Sequence, residues 1–61
     1  CMTEYFLKFI DGDSGETVDW ETSERIPDKD EEYYLYKKNE TVTVLDIDKD
    51  AGGTYLVKVG T

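Results

Sequence analysis

Every apolar run in this 61-residue chain is short. The longest, Tyr5 to Leu7 and Tyr33 to Tyr36, are strand-sized, far from the ~18 apolar residues of a membrane span. Thr3 to Ile10 alternates, with Tyr5, Leu7 and Phe9 on one face and Phe6, Lys8 and Ile10 on the other. Asp11-Gly12-Asp13-Ser14-Gly15 is a dense turn signal. Beyond it Glu16 to Glu21 alternates again, which puts Val18 and Trp20 inward and Thr17, Asp19 and Glu21 outward. Residues 3 to 22 thus read as a hairpin.

Residues 23 to 31 have no period and hold the only proline, so they read as a connection anchored by Ile26. Tyr33-Tyr34-Leu35-Tyr36 is rich in aromatic strand formers, and Lys38-Asn39 suits a tight turn. The acids before it and the lysines after it would also suit a helix. Thr41 to Ile47 is a strand whose inward set passes from Val42 and Val44 to Leu45 and Ile47, which implies a bulge. Asp50-Ala51-Gly52-Gly53 turns the chain into a last strand, Thr54 to Val59, with Tyr55, Val57 and Val59 together. The expected fold is all-β, a small five-stranded SH3-like barrel or an antiparallel meander. The alternative is α+β, a four-stranded antiparallel sheet with one helix at about 28-38.

A chain of this length buries only about 60% of the surface its unfolded form exposes, so one domain over residues 1-61 is all it can build. One cysteine gives no internal disulfide, and without histidine an ordinary zinc site is excluded. The low cysteine count fits a reducing, cytoplasmic setting. Cys1 stands before Met2-Thr3-Glu4, which reads as a natural start, so Cys1 is expected to be an added residue; the alternatives are a processed N-terminus, such as a lipoprotein cysteine, or a handle for ligation.

The net charge of −8 is unevenly spread. Residues 11 to 32 hold ten acids against Arg25 and Lys29, while five acids and five lysines balance elsewhere. Phosphates would meet repulsion there, so direct nucleic-acid binding is not expected. A basic protein partner would be drawn in by the long-range field.

Catalytic signatures are missing. Without histidine there is no ordinary general base and no Ser-His or Cys-His pair, and the acids fall on turns and on positions read as solvated. No enzyme activity and no cofactor are expected. Asp46-Ile47-Asp48-Lys49-Asp50 begins like a calcium loop, but Ala51 takes the place of its glycine and Val57 that of its closing glutamate. Asp11, Asp13 and Glu16 could also approach a hard cation. Both stretches are better read as hairpin turns, where aspartate and glycine supply local hydrogen bonds and positive φ, so no metal is assigned. Asn39-Glu40-Thr41 is a glycosylation sequon, relevant only to a secreted chain.

Two stretches resemble known families. Glu4-Tyr5-Phe6-Leu7-Lys8-Phe9 with Val18-Asp19-Trp20-Glu21 resembles the central hairpin of chromodomains over about a third of the chain. That resemblance implies Phe9 and Trp20 in an aromatic cage for a methylated lysine; the closing helix of that family is not evident. Thr41 to Ile47 followed by Asp50-Ala51-Gly52-Gly53-Thr54-Tyr55 resembles the corner of immunoglobulin-like domains. There an extra glycine interrupts the run, and Val57 stands where the cysteine would be.

Tyr33, Tyr34 and Tyr36 cannot all face inward from a strand, and Phe6 and Ile10 lie opposite Leu7 and Phe9. Exposed aromatics beside acids make a binding hot spot. The chain is therefore expected to be a non-enzymatic interaction module facing a basic partner. Its contacts would be Asp19, Glu21, Asp28, Asp30, Glu31, Glu32, Tyr34 and Tyr36. A small phage or bacterial inhibitor mimicking nucleic-acid charge is the sharper form of this expectation. The alternatives are a homo-oligomeric structural protein that buries the surplus aromatics between copies, or a designed mini-domain.

Overall fold

The structure, a computed structural model, describes residues 3–60. Cys1 and the expectation attached to it lie outside the described residues. Five strands follow one another: β1 (Tyr5–Asp11), β2 (Thr17–Ser23), β3 (Glu32–Leu35), β4 (Glu40–Lys49) and β5 (Tyr55–Gly60). They form one mixed sheet in the order β2-β1-β5-β4-β3, curled into a half-barrel of the small SH3-like kind. β1 and β5 run parallel, which a meander does not allow. No helix forms at 28-38: Glu32–Leu35 is the strand that the tyrosines favoured.

The turns follow the expected chemistry. Asp11 accepts the Asp13 amide at 2.8 Å, and Gly15 takes a φ of 76°. Asp50 Oδ1 accepts the amides of Gly52 and Thr54, each at 2.9 Å, and Gly53 closes the turn at a φ of 90°. Between β3 and β4 the turn spans Tyr36–Asn39, with Asn39 left-handed at a φ of 53°. Asparagine tolerates that region better than most residues.

Residues 24–31 carry the chain from one edge of the sheet to the other. Here the anchor differs from expectation: Pro27 is fully buried, whereas Ile26 is half-buried. Glu31 knots this segment, accepting from the Arg25 guanidinium and from the Asp28 amide at 2.8 Å. Asp30 and Glu31 then exchange backbone bonds with Val44 at 2.7 and 2.8 Å, feeding the chain into β3.

The core comprises Leu7, Phe9, Leu35, Val42, Val44, Val57 and Val59, from four of the five strands. Each such side chain contributes roughly 1.5–3 kcal/mol by leaving water. β4 bulges between Val44 and Asp46 as expected, but Leu45 is the extra residue and does not join the inward set. It lies outside the core cluster, against Gly12 and Gly60, where a Cβ would come within 2.8 and 3.1 Å of its Cδ1.

Candidate functional site at the β2–β3 seam

Among the described residues no backbone ladder closes the half-barrel. β2 and β3 are its two edges, and side chains bridge the seam between them. The Tyr33 hydroxyl donates to Glu21 Oε1 at 3.3 Å. Lys37 Nζ, from the β3–β4 turn, donates to the Trp20 carbonyl and lies 3.4 Å from Asp19 Oδ1. Beneath them the rings of Phe9 and Tyr33 stand 5.0 Å apart.

A bulge in β2 sets this geometry. Phe9 pairs with Asp19 and Ile10 with Thr17, so Val18 is an extra residue that reverses the alternation. Val18 packs against the core, but Asp19 and Glu21 then turn inward, and Trp20 turns out with 52% of its surface exposed. The expected assignment, Trp20 inward with Asp19 and Glu21 outward, is therefore reversed. The cage implied by the chromodomain resemblance fails for the same reason. Phe9 is fully buried, on the opposite face of the sheet from Trp20.

Turning carboxylates inward has an electrostatic cost. Burial raises the pKa of Glu21 above its usual 4.5, and the nearby charge of Asp19 adds to the rise. The Tyr33 hydrogen bond and the Lys37 ammonium oppose it. Burial, reinforced by the charge of Glu21, likewise raises the Tyr33 hydroxyl. One oxygen of each acid, Asp19 Oδ2 and Glu21 Oε2, is hidden from solvent with no hydrogen-bond partner. Such groups favour any arrangement that brings a donor to them.

Beside Glu21 runs a shallow groove lined by Phe6, Trp20, Glu21, Thr22, Tyr36 and Lys37. Phe6 is 62% and Tyr36 65% exposed, and all three rings present apolar surface to water. Lys8 Nζ stands 5.2 Å from the Trp20 ring and Lys37 Nζ 5.9 Å from that of Tyr36. Both rings thus already hold a cation at cation–π distance.

The eight expected contact residues do not form one face. Asp19, Glu21 and Tyr36 meet at the seam. Asp28 and Glu31 belong to the crossing segment, where the Arg25 guanidinium and the Asp28 amide hold the Glu31 carboxyl down at about 2. Asp30 is exposed beside them, left-handed at a φ of 71°. Glu32 and Tyr34 lie exposed on the outer side of β3, where the Tyr34 hydroxyl donates to Asn39 Oδ1 at 2.6 Å. The expected set lacks Phe6, Trp20, Tyr33 and Lys37. Phe6 was visible as a surplus aromatic, whereas the bulge concealed Trp20.

Much of the acidity is explained locally. Asp19, Asp46 and Asp48 each accept the amide of the next residue at 2.8–2.9 Å. No group of three or more acids or thiols among the described residues could hold a metal ion. No helix among them is long and apolar enough to cross a membrane. Compared with known proteins, the chain matches no family, no curated protein and no solved structure.

Proposed function

We propose that the chain is a non-enzymatic protein-binding module whose contact surface is the groove at the β2–β3 seam and whose partner is basic. One observation carries the reading: the exposed rings of Phe6, Trp20 and Tyr36 line one groove, and Glu21 lines it beside them. Aromatic anchors give binding energy through their large apolar area, and an adjoining carboxylate selects a cationic group. The net charge of −8 would speed the approach of such a partner.

The broader version, in which residues 11 to 32 imitate a nucleic-acid backbone, has less support. Asp19 and Glu31 already spend carboxylate oxygens on internal bonds. Self-association remains the competing class, since the same rings could be covered by a second copy. Sedimentation over a range of concentrations separates the two.

The direct test is an NMR titration with short lysine- and arginine-rich peptides at low and high salt. The groove reading expects shifts centred on Trp20, Thr22 and Tyr36, weakened but not abolished by salt, and none with an acidic peptide. Shifts centred instead on the turns at 11–16 and 50–53 would overturn it.

A further inference from the structure

We propose that the partner engages this site as an extended basic segment that adds to the free edge of β2 and takes the place Lys37 now holds. The proposal rests on the groove reading above and specifies how the groove is used.

Among the described residues β2 pairs on one side only, with β1. At Trp20 its other side is occupied by side chains, not by a strand. The Trp20 amide donates to Asp19 Oδ1 at 2.8 Å, and its carbonyl accepts from Lys37 Nζ. An edge residue whose amide and carbonyl both face away from the sheet is the unit to which an added strand bonds. Here that unit is capped by an ion pair, Asp19 on the donor and Lys37 on the acceptor, with 3.4 Å between the charged groups. Lysine at an edge commonly guards it against unwanted pairing. This one lies seventeen residues from the carbonyl it covers, on an exposed turn, so it can leave without disturbing either strand.

The charges at the seam select the occupant. Asp19 and Glu21 flank Trp20 on the inward face, each with an oxygen that lacks a donor. A strand beside β2 sends alternate side chains to that face. Lysine or arginine at those positions would give the hidden oxygens donors and replace the charge of Lys37. The intervening side chains would lie on the side of Phe6 and Trp20. A second copy of β2 would instead set carboxylates against carboxylates, so the occupant is a basic strand of another protein.

The test uses a capped peptide alternating lysine and threonine, together with two forms of equal charge, each N-methylated on one of the two alternating sets of residues. Binding is followed at the Trp20 amide in the parent chain and in Lys37→Ala and Lys37→Arg. Strand addition predicts that one methylated form binds like the parent peptide and the other fails, because only one set of amides faces β2. It also predicts that Lys37→Ala binds the peptide about tenfold more tightly, since the competing internal cap is gone. Lys37→Arg keeps the cap and should bind like the parent chain. If both methylated forms bind equally well while the groove signals still move, strand addition is overturned and the groove reading survives. If no peptide moves the groove signals in any variant, both fall.

Discussion

Val18 and Trp20, two positions apart in one strand, face opposite sides of the sheet. Val18 packs against the core, and Trp20 stands in solvent. In a regular strand residues two apart share a face, so the whole candidate site depends on the one extra residue in β2.

The first prediction follows from that reversal. Phe9→Ala removes a fully buried ring and should cost about 3–5 kcal/mol. Trp20→Ala removes a larger ring from the surface and should cost about 1 kcal/mol or less. Urea unfolding of the two variants checks the contrast. Equal losses would mean that Trp20 belongs to the core.

Glu21 should trade stability against binding. Its folded pKa lies above the unfolded value of 4.5, so the unfolded chain ionises first as pH rises and stability falls until the folded carboxyl has also ionised. Glu21→Gln removes that loss. The stability difference between variant and parent should therefore move in the variant's favour between acid and neutral pH, while affinity for basic peptides drops. Thermal melts across that range, paired with the peptide titration, measure both.

Glu31 has the opposite sign. Its folded pKa of about 2 lies below the unfolded 4.5, so its contribution is complete above 4.5 and drains away as pH falls toward 2. Glu31→Gln and Arg25→Ala should each lower the melting temperature at neutral pH and flatten the acid limb of the stability curve. A neutral-pH melting point unchanged in both variants would show that the pair contributes nothing, as many exposed pairs do.

Adjacent glycines in the β4–β5 turn should behave differently. Gly53 has a φ of 90°, so Gly53→Ala forces a side chain into a region that costs about 1–2 kcal/mol. Gly52 has no such constraint, and a Cβ there would meet Asp50 Oδ1 at an ordinary 3.5 Å. Gly52→Ala should be nearly silent in the same denaturation experiment.

The strands and turns could be read along the chain because they depend on local chemistry. Alternation located β1 and β5, and Asp11, Gly15, Asp50 and Gly53 marked the turns. The bulge in β4 was also legible, since the apolar pattern around Val44 and Leu45 slips by one. The bulge at Val18 was not. Val18-Asp19-Trp20-Glu21 is a clean alternation in either phase, and only the register against Phe9 and Ile10 decides which face Trp20 takes. The approach of Lys37 to Asp19 was equally hidden, because it arises from sheet curvature joining edges that are distant in sequence. Acidity concentrated in residues 11 to 32 suggested one charged face, whereas folding spreads those acids over turns, the seam and the crossing segment.

The parallel pairing of β1 with β5 sets the timing of folding. β1 and β5, the first and last of the described strands, are neighbours inside the sheet, and every route to the native state must close the roughly fifty residues between them into a loop. Non-local pairings of this kind are slow to form. During synthesis the β1–β2 hairpin has no inner neighbour until β5 emerges, and it waits with Leu7 and Phe9 uncovered. Loss of β5 would break the sheet into the β1–β2 and β3–β4 pairs, held together by side-chain contacts such as that of Phe9 with Tyr33, so a chain cut ahead of Tyr55 should fail to fold.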